Sequence, residues 1–324
     1  MPANLTPEFK KARERLRVAN TPEVKLAALE EMLATIPKHK GTDKMQADIK
    51  RRIAKLRDTG STRKGHRPGY DHIPREGAGQ IVLIGAPNSG KSSLLAALTN
   101  AKPEVADYPF STQVPVPGMM AFEDVSIQLI DLPPVTAEYT EGWVYGLIRG
   151  ADLALVVLDA SEMALAADRL DEIDEILEAR HVVLTAEDVA EPADERTREI
   201  PCRLVFAKAD LLVESRGSPP EVPFRSVSTS AATGEGLDRL RREIFDALRI
   251  VRIYTKLPGQ KPDMKEPYTL SIGSTVLDAV RAVHRDFVDQ LKYVRIWGSG
   301  RFDGQQVPSD HRLEDGDVVE IHVG

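Results

Sequence analysis

The sequence is short of two features that define whole classes of protein, cysteine and long apolar runs. It has one cysteine, Cys202, which excludes an intramolecular disulfide and a cysteine-cluster metal site. No run approaches the about 18 apolar residues that a membrane span requires, and the first residues lack the apolar core of a signal peptide. We therefore expect a globular, cytoplasmic protein with no membrane partner.

Charge is distributed unevenly along the chain, whose net charge is -7. Residues 38–67 contain eleven Lys or Arg against three Asp, whereas residues 159–199 contain fourteen acidic and four basic residues. A basic surface of this density favours phosphate backbones, which predicts contact with RNA or a ribosome. The alternative is a solvated helix face, docked on the rest of the protein through an apolar stripe formed by Met45, Ile49, Ile53 and Leu56.

The chain divides into three patterned segments and a linker. Residues 1–60 predict a basic helical arm, and residues 61–78, rich in glycine and proline, predict a linker. Residues 79–249 alternate short apolar runs with helical patterns, which is typical of a mostly parallel sheet with helices on both faces. Residues 250–324 predict a small mixed sheet around one helix, from about Thr275 to Val288, with Asp278 capping its start.

Residues 85–92, GAPNSGKS, match the phosphate-loop pattern GxxxxGK[ST] between a predicted strand and a helix. Glycines let such a loop close around phosphates, and the helix start attracts the anion. Lys91 is expected to reach the β and γ phosphates, and Ser92 to ligate magnesium. The alternative is a glycine turn before an ordinary helix. The predicted nucleotide-binding residues here are Gly85, Pro87, Asn88, Ser89, Gly90, Lys91, Ser92 and Ser93.

Acidic residues end two further apolar strands of the same segment. Asp131, at the end of SIQLID, stands where a phosphate-loop enzyme holds magnesium. Asp210, in LVFAKAD, is placed to accept hydrogen bonds from guanine, with Lys208 stacking over the base. The loop from Ser230 through Ala231 and Ala232 is expected to close over the base. These residues predict that the protein binds GTP or GDP together with Mg²⁺. Asp210 argues against ATP as the ligand.

Seven stretches resemble one family of GTPases. They are IPKHKGTDKMQADIKRRIAKLR, IGAPNSGKSSLL, ADYPFST, IQLIDLP, VRIYTKLPGQKPD, KYVRIWGSGRF and HRLEDGDVVEIHV. On these the chain resembles the Obg family, and most closely its branch of developmentally regulated GTP-binding proteins. The resemblance implies a P-loop GTPase domain, a carboxy-terminal β-grasp (TGS) domain, and a role with ribosomes or RNA, with no DNA expected. Family insertions are not evident, because residues 159–204 have room only for one helix and an acidic loop.

Two residues, Pro134 and Ala207, depart from the GTPase pattern that the resemblance implies. Pro134 stands where the family has a glycine whose N–H contacts the γ phosphate, and proline has no N–H to donate. The alternative is that a water or a neighbouring N–H replaces that contact. Val135 stands where many GTPases have a water-orienting glutamine, but a hydrophobic residue at this position is what the resemblance implies. Ala207 replaces the asparagine of NKxD, so nucleotide affinity is expected to fall more than specificity.

The resemblance also assigns Thr112, in YPFSTQ, as the magnesium ligand of the first switch, with Ser111 as the second choice. Asn88 matches a position that in related GTPases helps to hold K⁺, although it can equally favour the tight loop. The predicted catalytic residues are Lys91, Thr112 and Asp131, and the predicted magnesium ligands are Ser92, Thr112 and Asp131.

Two functions follow as hypotheses. The first is a GTP-binding switch with slow GTP hydrolysis that associates with ribosomes or RNA. The second is a nucleotide-binding scaffold with little or no turnover, which docks RNA or protein partners through the basic arm and the TGS domain.

Overall fold

The computed structural model describes residue 15 and residues 22–35, 73–101, 114–136, 140–187, 196–212 and 222–324. The chain forms two compact units, residues 1–69 and residues 70–324. The basic segment 38–67 with its predicted helix lies outside the described residues, as does the predicted first switch with Thr112 and Ser111. None of the helices in the described ranges is both long enough and apolar enough to cross a membrane.

One described helix, α1, belongs to the first unit and spans Pro22–Thr35. Proline suits the first helical turn, where its missing N–H would have no intrahelical partner. Leu29 and Met32 are buried, and Arg15 Nη1 lies 2.9 Å from Glu31 Oε2. The helix predicted to follow Thr21 therefore forms.

The second unit contains a seven-stranded sheet in the order β2-β3-β1-β4-β6-β5, with β7 also paired to β6. Every pairing is parallel except the antiparallel hairpin of β2 and β3. The carboxyl ends of the parallel strands therefore meet at one edge of the sheet, where α/β proteins bind ligands. The strands are β1 Gln80–Ile84, β2 Val116–Phe122, β3 Val125–Asp131, β4 Leu153–Asp159, β5 Val182–Thr185, β6 Arg198–Ala207 and β7 Ser226–Ser228.

Helices cover both faces of this sheet. All five residues of β1 are buried, with Ile81 and Leu83 in one core cluster and Val82 and Ile84 in the other, because alternate strand residues point to opposite faces. The fold class predicted from the sequence is confirmed. The helices are α2 Lys91–Leu98 and α5 Leu237–Leu248 on the first face, and α3 Gly142–Gly150 and α4 Ala166–Glu178 on the second.

The segment after β4 holds more structure than the sequence predicted. The expected helix forms as α4, but strand β5 follows it, and β6 begins at Arg198 inside the predicted acidic loop. The two strands pair from Val182↔Arg198 to Thr185↔Pro201. The prediction of one helix and a loop was wrong, because the four-residue run VVLT is a strand only through its pairing with β6.

Residues 73–78, which the sequence predicts as the end of the linker, lie against the sheet. The buried amides of Gln80 and Gln128 bond to each other at 2.8 Å, and Gln128 Nε2 donates to Pro74 O at 3.1 Å. Ala78 N donates to Ser126 O at 2.8 Å. Hydrogen bonds to β3 therefore hold residues 73–78 against the sheet, directly before β1 begins.

A second, smaller sheet forms the carboxy-terminal part, in the order β11-β10-β12-β8-β9. Helix α6, Val276–Val283, packs on one face, and Asp278 Oδ2 accepts from Thr275 N at 2.9 Å, which confirms the predicted cap. The helix is shorter than predicted, since a 3₁₀ turn, Arg285–Phe287, follows it. The strands are β8 Ile250–Thr255, β9 Asp263–Ser271, β10 Leu291–Trp297, β11 Gln305–Val307 and β12 Val318–Val323.

Asp174, on α4, is a partly buried carboxylate close to other negative charges. Burial, together with the charges of Glu178 and Asp171, raises the pKa of Asp174 to about 6. Its Oδ1 is buried without a hydrogen-bond partner among the described residues. Because the folded protein binds a proton here that the unfolded chain releases, stability falls as pH rises from about 4 to about 6.

Replacing Asp174 by asparagine is expected to increase the free energy of unfolding near neutral pH by about 1 kcal/mol, because the uncompensated charge is removed. The gain should disappear at low pH, where the native carboxyl is protonated. Urea unfolding at the two pH values measures this. Glu175→Gln, an exposed change on the same helix, is the control. Destabilisation by Asp174→Asn at neutral pH would contradict the account.

Candidate functional site

Two glycines shape the loop between β1 and α2. A Cβ on Gly85 would lie 2.4 Å from Val157 O, so a side chain there would collide with β4. Gly90, directly before α2, has φ 105°, a backbone conformation that favours glycine. The loop therefore leads directly into a helix whose first N–H groups lack intrahelical partners, which is an arrangement that binds anions.

Lys91, the first residue of α2, folds back onto this loop. It is 5% exposed, and its Nζ donates to the carbonyl oxygens of Gly85 and Ala86, both at 2.9 Å. Burial lowers the pKa of Lys91 to about 8, while the charge of Asp131 opposes this shift. A polyphosphate would compensate the buried ammonium better than carbonyl oxygens do, so the geometry favours an anionic ligand.

A hydroxyl and a carboxylate meet beside the loop. Ser92 Oγ donates to Asp131 Oδ2 at 2.5 Å, and Asp131 is fully buried. The parallel pairing of β1 with β3 brings them together, since Leu83 lies opposite Asp131. These are hard oxygen ligands of the kind that Mg²⁺ prefers, so the two residues fit a magnesium site. Thr112, the third predicted ligand, lies outside the described residues.

A cavity of about 520 Å³ extends from the start of α2 towards β7. This volume is within the usual range for small-molecule sites. At its far end Ser230 Oγ donates to Asp210 Oδ1 at 2.5 Å, and Thr233 N donates to Ser230 Oγ at 3.1 Å. The predicted site residues that line the cavity are Gly90, Ser93, Ala207, Lys208, Asp210, Ala231 and Ala232.

Six of the eight predicted phosphate-loop residues do not line this cavity, and three of the six, Gly85, Lys91 and Ser92, line neither it nor the smaller hollow beside it. Pro87, Asn88 and Ser89 line the smaller hollow, which also includes Asp159 and Arg169, and they do not line the larger cavity. Ser89 is 5% exposed, and its Oγ has no hydrogen-bond partner among the residues that the structure describes.

Asp159 is a site residue that the sequence reasoning missed. Lys208 Nζ donates to Asp159 Oδ2 and to Asn88 O, both at 2.6 Å. Burial alone would raise the pKa of Asp159, but hydrogen bonds from Lys208 and Ser161 outweigh it and hold the pKa below its usual value. The signal was available, because Asp159 ends the apolar strand LALVVLD as Asp131 ends SIQLID.

Ala207 faces the phosphate loop. Its Cβ would lie 3.1 Å from a Cβ placed on Gly90, and Ala207 is 5% exposed. An asparagine here could bridge the two loops, and alanine cannot. The bond from Lys208 to Asn88 O joins the same two loops instead.

The loop after β3 is packed into the core. Leu132 and Val135 belong to the core cluster that α3 covers, and Val135 is 4% exposed. Pro134 is also buried. An apolar side chain held in the core cannot orient a water molecule, so position 135 contributes packing rather than chemistry.

Comparison with known proteins defines the class. A family model described as 50S ribosome-binding GTPase matches residues 80–188, and a TGS domain model matches residues 251–323. An uncharacterized GTP-binding protein of Methanocaldococcus jannaschii is 31% identical over 361 positions, which cover 92% of each chain. Developmentally-regulated G-protein 2 of Arabidopsis thaliana is 31% identical, covering 92% of this chain and 90% of the other. GTP-binding protein 1 of Schizosaccharomyces pombe is 28% identical, covering 92% and 98%.

The fold and these matches define a GTP-binding protein with a GTPase domain and a TGS domain. The chain belongs to the family of developmentally regulated GTP-binding proteins. The alignment with the Methanocaldococcus protein, at 361 positions, is longer than this chain of 324 residues. This chain therefore lacks segments that its relative contains.

Asp210→Asn is expected to weaken GDP binding about tenfold or more, because a carboxylate accepts from the two guanine N–H groups and an amide N–H cannot. The same variant should bind xanthosine diphosphate better than the native protein does, since xanthine offers an oxygen at C2. Calorimetric titration of both proteins with GDP and with xanthosine diphosphate measures these affinities. Asp310→Asn, an exposed change in the TGS domain, is the control. Equal GDP affinity in the Asp210 variant would disprove the assigned base contact.

Proposed function

We propose that this protein is a magnesium-dependent GTP-binding switch that hydrolyses GTP slowly and works with ribosomes or RNA. The observation that supports the nucleotide site is a pair of polar contacts beside the cavity that runs from the start of α2 to Asp210. Ser92 and Asp131 meet at the phosphate end, and Asp210 and Ser230 meet at the base end. A guanosine polyphosphate matches both ends at once.

The roles of the residues follow from this arrangement. Magnesium, when bound through Ser92, Asp131 and Thr112, would neutralise charge on the phosphate oxygens. Lys91 would leave the loop carbonyls for the β and γ phosphates, while the N–H groups at the start of α2 hold the remaining charge. At the other end Asp210 would accept from the guanine edge, and the stem of Lys208 would lie against the base.

The loop that follows Asp131 supports the proposal of slow turnover. Pro134 has no N–H to offer the γ phosphate, and the buried Val135 cannot orient the attacking water. We propose an intrinsic rate below about one turnover per minute, as for unassisted GTPases. The buried loop also supports the second candidate, a scaffold with little or no turnover, and phosphate release from GTP decides between the two.

Potassium is the remaining part of the nucleotide proposal. Asn88 has φ 60°, a conformation that asparagine adopts more readily than most residues, so the loop geometry alone could account for it. Faster phosphate release in potassium than in sodium, at equal ionic strength, would support an ion held at Asn88.

Pro134→Gly restores an N–H at the position that in the family contacts the γ phosphate. We expect the variant to bind a non-hydrolysable GTP analogue about tenfold more tightly relative to GDP, as for a hydrogen bond to a charged acceptor. Pro133→Gly, which adds similar backbone freedom one residue earlier, is the matched control. Equal effects of the two variants would contradict the role given to position 134.

The RNA part of the proposal rests on residues 38–67, with eleven basic and three acidic residues. This segment lies outside the described residues, so its charge rather than its structure supports the proposal. The description of the matching family model, a ribosome-binding GTPase, is consistent with it. A cytoplasmic location remains a prediction from the sequence.

Replacing Lys50, Arg51, Arg52 and Lys55 by alanine is expected to weaken binding to ribosomes or structured RNA and to lower the slope of log affinity against log salt by about three. Filter binding at several salt concentrations measures both. The control removes four exposed basic residues of the TGS domain, Lys261, Lys265, Arg281 and Arg285. If affinity and salt slope stay at their native values in the first variant, the arm does not bind RNA.

A further inference from the structure

One arginine of the TGS domain joins three carboxylates, two of which belong to the GTPase domain. Arg252, on β8, binds Asp315 with Nε to Oδ1 at 3.0 Å and Nη2 to Oδ2 at 2.7 Å. Its Nη1 donates to Glu123 Oε2 at 2.6 Å and to Asp124 Oδ1 at 2.8 Å. Tyr254 donates its hydroxyl to Asp124 Oδ2. These five residues are called the hairpin clamp below.

The centre of the hairpin clamp is largely covered, whereas Glu123 and Asp315 at its edge are 43% and 39% exposed. The Arg252 side chain is 15% exposed, and its guanidinium lies over the ring of Phe245 on α5, 5.1 Å from the centroid. Phe245 stacks on Phe122, the last residue of β2, at 4.8 Å. Burial alone would raise the pKa of Asp124, but hydrogen bonds from Tyr254 and Arg252 hold it below its usual value. Of the three ion pairs, the one between Arg252 and Asp124 is the most covered and therefore the least screened by solvent.

The GTPase-domain part of the hairpin clamp is the turn between β2 and β3. Glu123 occupies this turn with φ 51°, a conformation that is uncommon for residues other than glycine and asparagine. Its carboxylate binds Arg252 and also Arg242 of α5, the latter at 3.2 Å. The backbone of the turn would favour glycine or asparagine at position 123, whereas the contact with Arg252 requires a carboxylate, which Glu123 supplies.

The open end of the same hairpin reaches the nucleotide site. β3 ends at Asp131, which accepts from Ser92, and β2 begins at Val116, which pairs with Asp131. Thr112 precedes Val116 by four residues in the sequence. In the described part of the chain β2 pairs with β3 alone, because it is the edge strand. β2 therefore joins the turn to the part of the chain that follows the predicted first switch.

Within the described residues, two features join the TGS domain to the GTPase domain. The first is covalent and short, because α5 ends at Leu248 and β8 begins at Ile250, which leaves only Arg249 between them. The second is the hairpin clamp, which joins β8 to a turn more than a hundred residues earlier in the chain. The covalent connection fixes where the TGS domain begins. The hairpin clamp links the position of the TGS domain to the β2–β3 hairpin.

We propose that Arg252 and Tyr254 are positioning residues, through which the TGS domain sets the position of the β2–β3 hairpin and so responds to which guanine nucleotide is bound. The nucleotide half of this inference rests on the proposed function. Coupling between two sites is reciprocal, so breaking the hairpin clamp must change the relative affinity for GTP and GDP. A contact that served stability alone would change both affinities by the same factor.

The test compares Arg252→Gln, Asp124→Asn and the double variant in the full-length protein, with Arg281→Gln of α6 as the control. The ratio of dissociation constants for GDP and a non-hydrolysable GTP analogue is measured in the presence of magnesium. We expect each single variant to change this ratio by about fivefold, the double variant to change it no further, and the control to leave it at the native value. Tyr254→Phe, which removes one hydroxyl, gives a smaller change in the same direction without risk to the fold.

Hydrogen exchange of the amides of residues 116–131, without nucleotide, gives a second readout. Faster exchange in Arg252→Gln with a changed affinity ratio supports the proposal. Unchanged ratios in folded variants overturn it, whatever the exchange shows. If the native protein binds no guanine nucleotide, the proposed function fails separately. In that case hydrogen exchange alone tests the hairpin clamp. Faster amide exchange in Arg252→Gln than in the native protein supports the role of the hairpin clamp in holding the hairpin, and an unchanged rate refutes it.

Discussion

The parallel pairing of β1 with β3 is the constraint on which the rest of the site depends. It brings the end of one strand beside the loop that follows the other, so that Ser92 and Asp131 meet although 39 positions separate them. The glycines of the loop and the start of α2 supply anion-binding backbone at the same point. Without this register, the loop would be an ordinary turn and Asp131 a buried charge with a large desolvation cost.

The nucleotide-binding half of the site is more complete than the hydrolytic half. Lys91 and Ser92 begin α2, where Ser92 donates to Asp131, and Asp210 accepts from Ser230. The positions that in other GTPases sense the γ phosphate and orient water are instead a proline and a buried valine. The proposed slow hydrolysis implies long-lived nucleotide states, and the proposed switch requires a state that differs in its contacts with the bound nucleotide.

Local patterns in the sequence predicted the parts of the structure that depend on local physics. The phosphate loop, the acidic strand ends and the Thr275 cap are each set by a few neighbouring residues, and the family resemblance, confirmed by the comparisons, supplied the domain order. Strand β5, the Lys208–Asp159 pair and the contact of Arg252 with Glu123 were not predicted. Each of these joins residues that lie far apart in the chain, and neither composition nor periodicity reports such pairings.

The central claim is that magnesium and a guanine nucleotide occupy the cleft between Ser92 and Asp210. A crystal structure of the full-length protein with GDP and magnesium tests it most directly. The account predicts a metal bound to Ser92 Oγ at about 2.1 Å, phosphates on the first amides of α2, and the guanine edge on the carboxylate of Asp210. A nucleotide bound elsewhere, or a guanine edge that faces away from Asp210, would contradict it.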